Sequence, residues 1–366
     1  MKGEAERRLK MEVQSLRRAI DSIDSRILKL LNERASMTLE IGKIKSRSKE
    51  SIYVPDRESE VYKRLAENNK GPLPNSAIQA IYREVMSSAL NLEKPLTIAY
   101  LGPEYTFTHL ASMKKFGSSV DYASCNTITA VFDEVRKGRA DYGVVPIENS
   151  VEGAVNHTLD MFIDSCLLIC SEIYLEISHS LLSKEGNVKK IKKIYSKDQV
   201  FGQCRLWLEE HLPGVSLVEA ASTARAAEMA SREKRAGCIA SELAAEKYHL
   251  KVLHRSIEDS AHNVTRFLVI GRTEAKQTRK DKTSAMFSLK DRVGALHDIL
   301  IPFKNYGINL TKIESRPSKV KAWKYYFFVD MEGHHLDKKV SKALSILKRN
   351  TTYLKILGSY PAADVL

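Results

Sequence analysis

The chain is poor in cysteine and tryptophan and has no long apolar run. Its five cysteines (Cys125, Cys166, Cys170, Cys204 and Cys238) form no CxxC pair. A disulfide scaffold is therefore excluded, no metal site is indicated, and free thiols in a reducing compartment are expected. No stretch approaches the roughly 18 apolar residues that span a bilayer. The opening MKGEAERRLKMEVQSLRR is charged throughout and lacks the apolar core of a signal peptide, so a cytoplasmic location without a membrane partner is expected. With 17 glycines in 366 residues, 43% hydrophobic and 28% charged, collagen and disorder are excluded too. At roughly 100 to 200 residues per domain, the length suggests two or three globular domains.

The net charge of +13 is uneven. Residues 1 to 94 hold 19 basic and 14 acidic side chains (+5), residues 95 to 275 hold 21 and 23 (−2), and residues 276 to 366 hold 18 and 8 (+10). The basic last quarter has neither a recognition helix nor interleaved aromatics, so no nucleic-acid partner is expected.

From Leu9 the apolar positions run Leu9, Val13, Leu16, Ile20, Ile23, Ile27 and Leu30, a heptad stepping alternately by four and three. The next seam position is Arg34, which needs an anionic partner there, either a protein carboxylate or a ligand. Continuous helix from Leu9 to Lys45 would be about 55 Å long, too long for a 94-residue domain, so its partner surface is expected on another chain. Pro55 marks a second helix start and Pro74-Asn75 a third.

This segment resembles the all-helical chorismate mutase family, whose intertwined dimers bind a small dicarboxylate within the bundle. By that resemblance Arg17, Arg34 and Arg57 hold carboxylates, Lys45 and Glu93 meet the ether oxygen from two sides, and Glu58 meets the ring hydroxyl. Arg17 and Arg34 lie about 25 Å apart on one helix, so Arg17 would be donated across a dimer. The implied reaction, chorismate to prephenate, needs no nucleophile or metal: fixed cations hold the reactive conformer and stabilise charge on the breaking ether bond. Val54 and Ala89 depart from the usual Asp and Ser. Glu93 stands where some relatives have Gln and can donate only when protonated, so mutase activity is expected to fall as rising pH removes that proton.

Short strands alternating with helices follow from Leu96, the pattern of an α/β domain. Leu96 to Leu101, Ala140 to Ser150 and Ile191 to Tyr195 read as strands ending in or running into polar residues, where open α/β sheets bind ligands. Singly, such residues read more readily as turns or helix caps. Together, GVVPIENSVEGAVNHTLD (143 to 160), STARAAEMA (222 to 230) and HNVTRF (262 to 267) resemble prephenate dehydratases. The implied fold is two αβ lobes, periplasmic-binding-protein-like, with substrate between them. Thr265 would be the principal catalytic hydroxyl; Glu148, Asn149, Ser196 and Gln203 would line the crevice; Thr106 would sit on the first-lobe loop; and Arg266 would be a candidate carboxylate partner. Tyr105 stands where relatives usually have Gly, a costly exchange if φ is positive.

After a basic linker (274 to 282), the order strand, helix, strand, strand, helix, strand gives a ferredoxin-like βαββαβ module over residues 283 to 366. Gly294-Ala295-Leu296 and Glu314-Ser315-Arg316-Pro317 resemble the phenylalanine-binding signature of ACT domains; helix capping plus a strand-ending turn is the alternative. Jointly the resemblances imply a multidomain α and α/β enzyme of phenylalanine biosynthesis: a mutase domain (1 to 94), a dehydratase (95 to 275) and a regulatory ACT domain. Its substrates would be chorismate and prephenate, its effector L-phenylalanine, its assembly a homo-oligomer, and it would use no cofactor. A monofunctional dehydratase carrying a degenerate helical dimerisation module, and a non-enzymatic amino-acid-responsive binding protein, are the alternatives.

Overall fold

The heptad of the first segment is one helix. In the computed structural model, which describes residues 2–48, 55–260, 262–290, 292–318 and 325–363, α1 (Lys2–Ser48) runs for 47 residues. The second helix, α2 (Pro55–Asn68), begins on the expected proline, and α3 (Asn75–Glu93) follows Pro74. Val54 lies outside the described residues. Although α1 packs along α3, its apolar stripe stays bare: Leu16 is 65%, Ile20 54% and Leu30 61% exposed.

Two lobes come next. The first contains β1 (Thr97–Leu101), α4 (Phe107–Phe116), β2 (Asp121–Cys125), α5 (Ile128–Arg136), β3 (Tyr142–Asn149), β4 (Gly153–Ala154), α6 (Asn156–Asp164) and β5 (Leu168–Glu176). The second contains β6 (Ser180–Ser183), β7 (Lys193–Ser196), α7 (Asp198–Gln203), α8 (Arg205–His211), β8 (Ser216–Glu219), α9 (Thr223–Arg232), β9 (Ala236–Ala240), α10 (Glu242–Tyr248) and β10 (Lys251–His254). The chain then returns to the first lobe as β11 (Val264–Gly271), giving sheets of order β2-β1-β3-β11-β5, with β4 on β3, and β10-β6-β9-β7-β8. The two crossings between lobes are tied together. Ile177 N–H donates to the Asn263 carbonyl (2.7 Å) and Ile257 N–H to that of His179 (2.9 Å).

The last segment forms β12 (Asp281–Leu289), α11 (Ala295–Tyr306), β13 (Leu310–Pro317), β14 (Tyr325–Glu332), α12 (Lys338–Asn350) and β15 (Thr351–Pro361), in the antiparallel order β13-β14-β12-β15. Alternation along β12 assigns its two faces: Ala285 and Phe287 pack with Ile299, Phe303 and Leu347 of the two helices. Met286 points the other way, joining Phe328, Leu357 and Tyr360 in one core with Ile147, Ile169 and Leu268 of the first lobe. Close approach of the two domains requires Gly358 (φ 150°), where a Cβ would meet the Ile169 carbonyl oxygen at 2.2 Å.

Candidate active sites and the domain junctions

β3 and β11 pair antiparallel with Thr265 opposite Asn149 and Arg266 opposite Glu148. Because side chains alternate along a strand, Thr265 and Asn149 share one face while Arg266 and Glu148 share the other. The first pair enters a hydrogen-bond chain whose polarity is set by the backbone. Asn149 Oδ1 accepts the N–H groups of Val151 (2.9 Å) and Glu152 (3.0 Å). Its Nδ2 therefore donates, to Thr265 Oγ1 (2.8 Å) and Asn263 Oδ1 (2.7 Å). Asn263 Nδ2 in turn donates to Gln203 Oε1 (3.1 Å), and Gln203 Nε2 donates to Glu152 (2.9 Å). With Asn149 donating to it, the Thr265 hydroxyl does not use its own proton in this chain.

His179 completes this chain, donating from Nε2 to Gln203 Oε1 (2.8 Å). Its Nδ1 is buried without a hydrogen-bond partner. Burial pushes its pKa down, against the opposing pull of the Gln203 bond, so the ring stays neutral. Glu152, His179 and Asn263 were not among the expected site residues. Asn263 lies inside the HNVTRF run; His179 has no sequence signal beyond its place between two strands.

Glu148 and Arg266 do not line the crevice, contrary to expectation. On the reverse face, Arg266 Nε meets Glu172 (2.8 Å), Nη1 meets Asp330 (2.5 Å) and Nη2 donates to Tyr360 Oη (3.0 Å). Lys282 reaches Glu172 (2.8 Å), and Lys312 reaches Glu148 (2.9 Å). These charges join the first lobe to the C-terminal four-stranded sheet. Burial alone would lower the Arg266 pKa, but Asp330, Tyr360 and Glu172 reverse that and raise it, so the guanidinium is held charged. Ser196 is fully buried and donates to the Ile239 carbonyl (2.8 Å), bracing β7 on β9. Thr106 caps α4, and its one hydroxyl proton is shared between the carbonyls of Leu101 (3.2 Å) and Pro103 (3.0 Å).

In the helical domain Lys45 and Glu93 form an ion pair at 3.1 Å, which brings together the two residues expected to flank an ether oxygen. Glu58 pairs with Lys115 of α4 (2.8 Å), and Arg57 with Glu60 (2.9 Å). Arg17 is exposed and Arg34 half-buried. In the C-terminal module Gly294 (φ 76°) precedes α11 in the left-handed conformation that favours glycine. The cross-strand register Ser288, Tyr326, Arg316 puts the end of β13 at the same end of the sheet as Leu289, two strands away from β12. Leu296 is exposed, Ala295 is buried, and Glu314, Ser315 and Pro317 lie on the edge strand. Arg316 pairs with Asp160 of α6 (3.1 Å).

Among the described residues, Glu274, His334 and His335 bring ligand-type atoms within 4.8 Å of one another. His334 Nδ1 accepts the Leu336 N–H (3.2 Å), which places the neutral ring's proton on Nε2 and leaves no lone pair there for a metal. Among the described residues no helix is long and apolar enough to cross a membrane.

The architecture is that of a multidomain protein: a two-lobed α/β domain with a polar crevice, a helical domain before it and a βαββαβ module behind it. Three family models match: chorismate mutase type II over residues 16–94, prephenate dehydratase over 98–275 and the ACT domain over 283–349. A bifunctional chorismate mutase/prephenate dehydratase of Aquifex aeolicus is 51% identical over 356 residues, covering 96% of this chain and 98% of that one. Its counterpart in Escherichia coli is 30% identical over 375 residues, covering 96% and 97%. A crystal structure of an Arthrobacter aurescens prephenate dehydratase in complex with L-Phe aligns with TM-score 0.69 at 37% identity, covering 74% of this chain and 91% of that one. The chain belongs to the bifunctional chorismate mutase/prephenate dehydratase family.

Proposed function

We propose that this chain converts chorismate to prephenate in its helical domain and prephenate to phenylpyruvate in the crevice around Thr265, under feedback control by L-phenylalanine. The observation that carries the crevice assignment is the directed chain Thr265, Asn149, Asn263, Gln203, which runs from the first lobe through a crossing into the second. In the second reaction the ring carboxylate leaves as carbon dioxide. Its bonding pair aromatises the ring and expels the hydroxyl, which takes up one proton and leaves as water. Thr265 donates a hydrogen bond to that hydroxyl, and the proton itself arrives by relay, because threonine is too weak an acid to supply it.

For the mutase, Lys45 and Glu93 flank the ether oxygen, Arg34 and Arg57 take carboxylates and Glu58 takes the ring hydroxyl. A second copy of the chain covers the bare α1 stripe and contributes Arg17. L-phenylalanine binds the ACT module between Gly294 to Leu296 and Glu314 to Pro317. Its carboxylate meets N–H groups at the start of α11, with an allosteric coupling of about 1 to 3 kcal/mol.

Lys45→Ala should lower mutase kcat/KM by about 10²-fold or more while dehydratase turnover on supplied prephenate stays within twofold, about 0.4 kcal/mol. Equal loss of both activities, or full retention of the first, would contradict the assignment.

A further inference from the structure

Tyr105 stands out in the crevice loop by its backbone. Its φ of 67° is one of four positive values at non-glycine residues among those described. A bulky side chain held there is strained, and such a conformation persists only when its surroundings over-determine it. On its own lobe, Tyr105 N–H donates to His109 Nδ1 (3.0 Å), and its ring meets that imidazole edge-on at 5.7 Å. His109 is itself stacked on the buried Tyr100 at 4.6 Å.

The remaining ring and carbonyl contacts of Tyr105 reach the second lobe. Its ring joins the alanine-rich core of α9 and α10, meets Tyr248 edge-on at 6.5 Å and lies under Lys247 Nζ at 5.2 Å. Ser241, placed at the cap position of α10, makes no side-chain cap bond to its own helix. Its hydroxyl instead donates across the crevice to the Tyr105 carbonyl (3.4 Å). A cap serine diverted from its usual use and a tyrosine held in a disfavoured conformation thus converge on one contact between the lobes. The next residue is Thr106, which starts α4 at the carboxyl end of β1.

The geometry points to Tyr105 as a positioning residue that latches the two dehydratase lobes against each other and thereby sets affinity for prephenate. The ring supplies the contact, and the left-handed backbone turns it outward across the crevice. The proposal rests on the crevice being the dehydratase site, which Thr265→Ala tests separately through kcat.

The experiment is steady-state dehydratase kinetics of the full-length protein on prephenate. Tyr105→Gly relieves the backbone and removes the ring: KM should rise about tenfold, the equivalent of about 1.4 kcal/mol, with kcat within about twofold and no loss of thermal stability. Tyr105→Phe, which keeps the ring, should restore the native KM, and mutase activity on chorismate should be unchanged in both. Three results would overturn the proposal: an unchanged KM in Tyr105→Gly, a KM in Tyr105→Phe raised as far as in Tyr105→Gly, or a fall in kcat that tracks lost stability.

Discussion

Thr265→Ala should reduce dehydratase kcat by roughly 10² to 10⁴-fold, the range for losing a positioned proton donor or an oxyanion-type hydrogen bond, with KM for prephenate little changed. Asn149 Nδ2 already donates to Thr265 Oγ1, so the hydroxyl's own proton is not used in that bond. The effect should appear in kcat because the hydroxyl's partner acquires negative charge only as the carbon–oxygen bond breaks. Removing the hydroxyl also leaves the Asn149 donor one acceptor short, costing about 1 to 3 kcal/mol of stability. Thr265→Ser, which restores both bonds, separates the two effects: it should recover most of the turnover. Near-normal kcat in Thr265→Ala, with prephenate supplied directly, would remove Thr265 from the mechanism.

Arg266→Met should have the largest effect on stability. The guanidinium is buried and binds Glu172, Asp330 and Tyr360 at once, so its removal takes a cation from between two carboxylates at the junction between the first lobe and the ACT sheet. Breaking one side of a buried pair costs about 3 to 5 kcal/mol, which for a unit of this size lowers the melting transition by roughly 10 °C. Lys282 still neutralises Glu172 at 2.8 Å, so Asp330 bears most of the loss. Asp330→Asn in the Arg266→Met background should therefore recover part of the stability. A transition that moves by less than about 2 °C in Arg266→Met would mean that the cluster is solvated.

Much of the architecture is legible in the sequence because it follows from periodicity. The alternating steps of four and three from Leu9 to Leu30 make α1, and Pro55 and Pro74 punctuate α2 and α3. The strand and helix order after residue 281 is the one expected for a βαββαβ sheet. The site was legible only by neighbourhood. Thr265 and Arg266 are adjacent in one run, as are Glu148 and Asn149 in another, and each pair is split by the two-residue period of a strand onto opposite faces. That period was available in the sequence; what covers each face was not, since it depends on the ACT sheet docking behind β11.

Pairs such as Glu58 with Lys115 and Arg316 with Asp160 join residues far apart in the chain and in different domains, so no local pattern announces them. Thr106 shows the converse: its position fits both a binding loop and a helix cap, and the structure has it capping α4. Tyr105 combines both cases. A departure visible in the sequence acquires its meaning from φ and from Ser241 across the crevice.

The most direct test of the whole account is a progress curve of the full-length protein given chorismate alone, with and without saturating L-phenylalanine. Chorismate loss is followed by ultraviolet absorbance and phenylpyruvate is assayed after adding base. Chorismate should disappear and phenylpyruvate accumulate, with L-phenylalanine slowing the second step and leaving prephenate to build up. Chorismate left untouched, prephenate as the only product without effector, or a second step indifferent to L-phenylalanine would contradict it.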